Sequence, residues 1–167
     1  MTAEEVIRVL GLEPLPREGG YYRETYRSPS AIDAAGFSSG YAGRRAISTA
    51  IYYLLTPATF SAMHRLPGDE IFHFYYGDPV EMLQLDEDGS GRIVALGLEL
   101  ARGMRPQVVV AGGTWQGSRL VAGGRYALLG TTMAPGFDFQ DYVEGRREEL
   151  CRRYPQFTER IVGLTTR

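Results

Sequence analysis

The spacing of apolar residues changes period at Ala46. Before it, Val6, Val9 and Leu10 recur at helical intervals, with Glu4 and Glu5 in the first turn, where they suit the helix dipole, so Thr2–Leu10 reads as a short helix. Leu12–Gly20, with Pro14, Pro16, Gly19 and Gly20, reads as a connector, Tyr21–Arg27 as a strand, and Ser28–Gly43 as a long surface loop. From Ala46 on, the period is two. Ile47–Leu55, Phe60–Leu66, Glu70–Tyr76, Val80–Leu85 and Arg92–Leu96 are short strand segments, continued by Gln107–Val110, Thr114–Val121, Tyr126–Met133 and Phe137–Tyr142. Pro67-Gly68, Gly77-Asp78-Pro79, Asp86–Gly91, Gly112-Gly113 and Gly123-Gly124 punctuate them. Glu144–Arg153 is helical in pattern up to Pro155, and Gln156–Leu164 adds a final turn or two. The pattern predicts one all-β domain over 1–167, a sandwich, barrel or jelly roll, with short helices at its two ends.

Composition narrows the function classes. The 167 residues suffice for one domain with a proper core, and 44% hydrophobic with 23% charged residues is ordinary for a globular protein. A formal charge of -2 gives no reason to expect nucleic acid or an anionic membrane as partner. No apolar run reaches the roughly 18 residues of a membrane helix. The acidic start lacks a signal peptide's regions, and one cysteine, Cys151, forms no internal disulfide, so a cytoplasmic location is expected. All 18 basic residues are arginine. The lack of lysine excludes Schiff-base and pyridoxal chemistry and the phosphate-binding P-loop, which need a lysine amine.

The candidate chemistry lies in FSAMHRLPGDEIFHFYYG. In a strand Phe60–Leu66, His64 shares a side with Phe60, Ala62 and Leu66. In the next strand Glu70 shares a side with Phe72, Phe74 and Tyr76, and the phenylalanines mark that side as interior. A carboxylate there needs a cation, a histidine or a hydrogen-bond donor beside it. A His and a Glu on one interior face can hold a metal, divide acid–base work, or form a structural hydrogen bond at a turn. His73 falls on the opposite face, where a structural or interface role is expected.

Three further matches fail on context. Gly36–Gly40 spells the G-x-S-x-G nucleophile elbow but lacks the preceding strand and following helix. Asp86, Asp88, Ser90 and Gly91 begin like a calcium loop, yet the twelfth position is Gly97 and a hairpin turn explains them. Cys151 is expected to pack on a helix face.

The chain resembles a known family. Glu70 to Gly77 fits the end of the first cupin motif, with His64 at the first histidine of its HxH pair and Leu66 at the second. AGGTWQG resembles the start of the second motif, PxGxxH, with Ala111 at the proline, Gly113 at the glycine and Gln116 at the histidine. The blocks EGGYYRETYRS, STAIYYLLTP, HRLPGDEIFHFYYGDP and APGFDFQDY are similar to the DUF985, or cupin_5, family, whose members are often called predicted sugar epimerases. The resemblance implies a cupin jelly roll, a homodimer, and a pocket in the barrel mouth. It also implies a metal site of three histidines and a glutamate, of which this chain keeps His64 and Glu70, with Gln116 as a weak oxygen donor. Two good ligands and an amide fall short of a tight transition-metal site, so no cofactor is required and any divalent ion at His64, Glu70 and Gln116 is weakly held.

Three functional readings follow. In the first, a metal-free epimerase or isomerase acts on a small polar or sugar-like ligand. By analogy with the nucleotide-sugar epimerases of the superfamily, His64 is the base, Glu70 orients it, and a pocket tyrosine such as Tyr76 returns the proton. Arg65 and Arg119 are candidate anion contacts, although alternation points them away from His64. In the second, the pocket binds without turnover: Glu70, Gln116, Ser118 and His64 supply hydrogen bonds, and Phe72, Phe74 and Trp115 shape the walls. A metal-dependent cupin enzyme is the third reading, set back by the missing ligands.

Overall fold

The computed structural model describes residues 1–37 and 40–166. In chain order the elements are α1 (Ala3–Leu10), β1 (Glu13–Pro14), β2 (Tyr21–Arg27), β3 (Ala31–Asp33), β4 (Arg44–Ala46), β5 (Thr49–Leu55) and β6 (Ser61–Arg65). There follow β7 (Glu70–Gly77), β8 (Val80–Leu85), β9 (Gly91–Leu96), β10 (Gln107–Val110), β11 (Trp115–Leu120), β12 (Ala127–Met133) and β13 (Val143–Glu144), then α2 (Arg147–Arg153) and α3 (Thr158–Gly163). A six-stranded sheet in the order β1-β2-β5-β12-β7-β10 faces a five-stranded sheet in the order β13-β6-β11-β8-β9. This is the all-β jelly roll expected from the alternation, with short helices at both ends.

The alternation places the core. From the first sheet Tyr53, Leu55, Phe72, Phe74 and Leu129 point inward; Val80, Met82 and Leu120 meet them from the second. The outer face of the second sheet is also buried. Met63, Leu83, Leu85 and Trp115 lie there under Leu150, Tyr154, Ile161 and Leu164 of the C-terminal segment. α1 covers one end through Val6, packed with Leu12, Leu54 and Tyr126. Its start is capped reciprocally, with the Glu5 amide donating to Thr2 Oγ1 and the Thr2 amide donating to Glu5 Oε2.

Three segments differ from the sequence expectation. Phe137–Tyr142 is not a strand. Asp138 accepts from the Gln140 amide and the chain turns through Phe139–Asp141, because Asp141 is drawn to Arg45. The Leu12–Gly20 connector contains β1, which pairs with β2, and the Ser28–Gly43 loop contains β3, which pairs with β4. Ser38 and Ser39 of the G-x-S-x-G match lie outside the described residues. At Asp86–Ser90 the Asp86 amide donates to the Ser90 carbonyl and Ser90 donates to Asp88 Oδ1, a hairpin turn between β8 and β9. No helix among the described residues is long and apolar enough to cross a membrane.

Candidate functional site

A cavity of about 360 Å³ opens at one end of the six-stranded sheet. Leu15, Ile51, Leu66, Met133, Phe137 and Phe139 form its apolar wall, and Glu18, Glu24, Arg27, Glu70 and Asp138 supply charge. Arg27 is already engaged, donating to both carboxylate oxygens of Glu24 and to the Phe137 carbonyl.

Glu70 begins β7 on its inward side and is 8% exposed. Gln116 Nε2 donates to its Oε2 at 2.7 Å. Burial, then the nearby Glu18 carboxylate, pushes the Glu70 carboxyl up to about 7, against the opposing pull of His64 and of hydrogen bonds from Thr131 and Gln116. His64 on β6 is 1% exposed. Its Nδ1 lies 2.7 Å from the Ala62 carbonyl oxygen, which can only accept, so Nδ1 carries hydrogen and Nε2 is left facing Glu18 Oε2 at 3.9 Å. Nε2 therefore faces the Glu18 carboxylate, and both groups act electrostatically on Glu70.

Glu18, which the sequence reading passed over as connector, is held firmly. The Ser61 hydroxyl donates to its Oε1 at 2.8 Å, and the Ala62 amide donates to its backbone carbonyl at 2.8 Å. Gly19 and Gly20 beyond it have φ of 96° and 75°. A Cβ on Gly19 would lie 2.5 Å from the Phe60 carbonyl oxygen, and one on Gly20 would lie 2.8 Å from the Tyr53 ring, so only glycine permits the turn. Tyr142 was also missed. Its ring stacks on His64 with centroids 5.0 Å apart, and its buried hydroxyl has no hydrogen-bond partner. Burial, then Glu18, raises its pKa and keeps the phenol neutral. The adjacent Asp141 receives two hydrogen bonds from the buried Arg45, at 2.7 and 2.5 Å, which anchors this loop.

The second sheet lines the interior with polar groups. Gln116 is opposite His64 on one side and Gln84 on the other, and the alternation of β11 brings Ser118 to the same face. Gln84 Oε1, Gln116 Oε1 and Ser118 Oγ are buried without a hydrogen-bond partner. None of these three residues lies on the cavity wall, so Gln116 and Ser118, expected as ligand contacts, are interior to the barrel and not in the cavity.

Four expected residues lie elsewhere. Tyr76 is 61% exposed on the outer face beside Tyr126. A register shift in the β7–β12 pairing sets Phe74 opposite Leu129 but Tyr76 opposite Leu128, which reverses the parity after Phe74. Trp115 faces outward under the C-terminal helices, because Gln116 beside it faces inward. Phe72 and Phe74 do point inward, yet they belong to the packed core and not to the cavity wall. His73, on the outer face, pairs with Thr132 Oγ1 at 3.1 Å.

The residues do not fit the metal centre that the resemblance implies. Leu66, at the second histidine position, is an apolar wall residue. Gln116 turns its amide nitrogen, a donor, toward Glu70. Among the described residues no three His, Cys, Asp or Glu side chains gather in an arrangement able to hold a metal ion.

Comparison with known proteins gives the family and the fold. The family profile described as "Cupin superfamily (DUF985)" matches residues 4–143. Uncharacterized protein YML079W of Saccharomyces cerevisiae is 31% identical over 135 residues, 76% of this chain and 67% of that protein. The crystal structure of protein SO0799 from Shewanella oneidensis is 34% identical, covers 99% of this chain and 98% of its own, and superposes with a TM-score of 0.87. A hypothetical protein from Leishmania major is 34% identical over the full length of both chains, with a TM-score of 0.88. Bacillus subtilis oxalate decarboxylase shares the fold alone, at 15% identity and a TM-score of 0.54.

Proposed function

The chain belongs to the DUF985 family of the cupin superfamily, and from that premise we propose that its cavity binds a small, uncharged, sugar-like molecule and moves a proton on it without a metal. The observation that carries this reading is the placement of Glu70, a buried carboxyl on the cavity wall whose pKa burial pushes up to about 7. A group with that value exchanges protons at neutral pH in either direction. Glu70 carboxylate takes the proton from a carbon next to the ligand carbonyl, leaving the electron pair delocalised onto oxygen. The same proton, or one from solvent, returns to carbon and completes an epimerisation or isomerisation. His64, with Nε2 toward Glu18, lies behind the base. It does not itself line the cavity, so the base role expected for it passes to Glu70. Tyr142, stacked on His64, does not line the cavity either, so the proton-returning role expected of Tyr76 does not pass to it.

The charge of the cavity sets the ligand class. Glu18, Glu24, Glu70 and Asp138 outnumber Arg27, which disfavours phosphorylated and nucleotide-linked sugars and favours neutral polyols, aldoses and ketoses. The mixed apolar and polar wall of the same cavity supports a second reading, a binding protein that holds such a ligand unchanged.

One experiment tests both readings. Free aldoses and ketoses are incubated with the protein in D2O, with saturation-transfer NMR for binding and loss of the signal of the hydrogen next to the carbonyl for turnover. The enzyme reading expects exchange that Glu70→Gln abolishes while binding persists. Binding without exchange selects the binding-protein reading. Absence of binding across the panel removes the sugar-like ligand.

A further inference from the structure

Outside the barrel interior, the β6–β13 edge, the start of α2 and Thr166 enclose a groove of about 1200 Å³. Five arginines line it, Arg17, Arg65, Arg146, Arg147 and Arg152, against three glutamates, Glu144, Glu148 and Glu149. This is a locally positive surface on a chain whose formal charge is -2. Elsewhere most arginines are engaged, Arg27 with Glu24, Arg45 with Asp141 and Arg160 with Glu81, while Arg8, Arg44 and Arg119 stand singly on the surface and not in a cluster. In the groove Arg147 is tied to Thr165 and the Val162 carbonyl, but among the described residues the guanidinium groups of Arg17, Arg65, Arg146 and Arg152 form no hydrogen bond or ion pair. The three glutamates do not neutralise them, since none lies within ion-pair distance.

Two of these guanidiniums are held in place without being satisfied. Arg17 lies over the Tyr142 ring at 4.7 Å, and Arg65 lies over the Trp115 ring at 4.8 Å. Contact with a ring face fixes the plane of a guanidinium while leaving its N–H edge free, which is the disposition a bidentate oxyanion needs. Val143 pairs with Arg65 and Tyr142 immediately precedes Val143, so the two stacked pairs line the same groove along this sheet edge, Tyr142 on its inner side and Trp115 on its outer side. Arg17 adds an independent sign. It is the non-glycine residue with positive φ among the described residues, at 67°. Backbone strain of this kind persists where the surrounding structure imposes it and gathers at ligand clamps.

We propose that this groove binds a multiply charged oxyanion through Arg17 and Arg65, at a site separate from the acidic cavity. The shared chemistry is that of phosphate esters and polycarboxylates. The acidic cavity would repel either, so the molecule sorts neutral and anionic ligands onto two surfaces.

Trp115 is the only tryptophan, and Arg65 covers its ring, so its emission reports the groove directly. The protein is titrated at constant ionic strength with inorganic pyrophosphate and, separately, with citrate. A saturable change in emission is expected with at least one of them, and the stronger of the two identifies the ligand source. Arg17→Gln should weaken that binding roughly tenfold, the worth of one charged hydrogen bond. Arg65→Gln, followed by calorimetry because it alters the fluorophore's surroundings, should do the same. Arg8→Gln, on the exposed face of α1, should leave it unchanged. No saturable response to either anion, or equal binding by the Arg17 and Arg65 variants and the native chain, would overturn the proposal.

Discussion

Gln116 on the five-stranded sheet donates its Nε2 to Oε2 of Glu70 on the six-stranded sheet, 2.7 Å away, and so ties the two sheets together inside the barrel. The bond favours the ionised form of a carboxyl that burial strongly disfavours. Gln116→Leu removes the donor, and the Glu70 titration should move upward from about 7, as read by carboxyl carbon NMR. Unfolding by denaturant at pH 8 should show a loss of about 1–3 kcal/mol, the cost of stranding a buried polar group.

Stability should fall as pH rises through neutrality, the reverse of the usual carboxylate effect. The folded state holds the Glu70 proton up to about 7, while an ordinary glutamate releases it near 4.5. Between those values the folded chain binds the extra proton, so the contribution is fully present below 4.5 and is lost as pH passes 7. The total is on the order of 3 kcal/mol. Glu70→Gln should flatten the slope between pH 5 and pH 8, and should match or exceed the native chain in stability at pH 8. An unchanged slope would mean that Glu70 ionises normally.

Arg45 and Asp141 form a buried, two-bonded pair, and Arg45 also donates to the Ala42 and Arg44 carbonyls. Asp141 stands at the end of the loop whose Phe137, Asp138 and Phe139 line the cavity. Asp141→Ala leaves a buried guanidinium charge without its counter-ion and should cost roughly 3–5 kcal/mol in thermal or chemical unfolding. Arg45→Met with Asp141→Leu removes both charges and should recover most of the loss. Recovered stability combined with weakened ligand binding would assign the pair to positioning of the loop.

The fold was legible in the sequence because alternation and Gly/Pro turns report strand faces directly. Glu70 was legible for the same reason, sharing parity with Phe72 and Phe74. Tyr76 was misplaced because a register shift between paired strands leaves no mark on the alternation of its own strand. Trp115 was misplaced because both faces of the second sheet are buried, so an apolar residue there carries no sign of which face it occupies. Glu18 and Tyr142 lie in irregular backbone, where no period exists to read. The signal that could have found them is their position in two of the blocks similar to the family, since EGGYYRETYRS begins at Glu18 and APGFDFQDY ends at Tyr142.

The Glu18 turn can be tested through its glycine. Gly19→Ala forces a Cβ against the Phe60 carbonyl at a φ of 96°. It should cost about 1–3 kcal/mol, as strain in a left-handed position does, and should shift the Ser61–Glu18 contact. Glu18→Gln keeps the turn and removes only the charge. If Glu18 raises the Glu70 titration as a neighbouring anion, Glu18→Gln should lower it, in the opposite direction to Gln116→Leu.

Tyr142→Phe separates the two contributions of the tyrosine. The phenyl ring retains the stack on His64 at 5.0 Å and remains under Arg17, so packing is preserved. Only the hydroxyl is lost, and because it is buried without a partner its removal should be neutral or stabilising by up to about 1 kcal/mol in thermal unfolding. Because Tyr142 does not line the cavity, hydrogen exchange and binding of a sugar by the same variant should be little changed. Tyr142→Leu, which removes the stack as well, should lose stability. A large loss of exchange in the phenylalanine variant at unchanged stability would place the hydroxyl in the reaction.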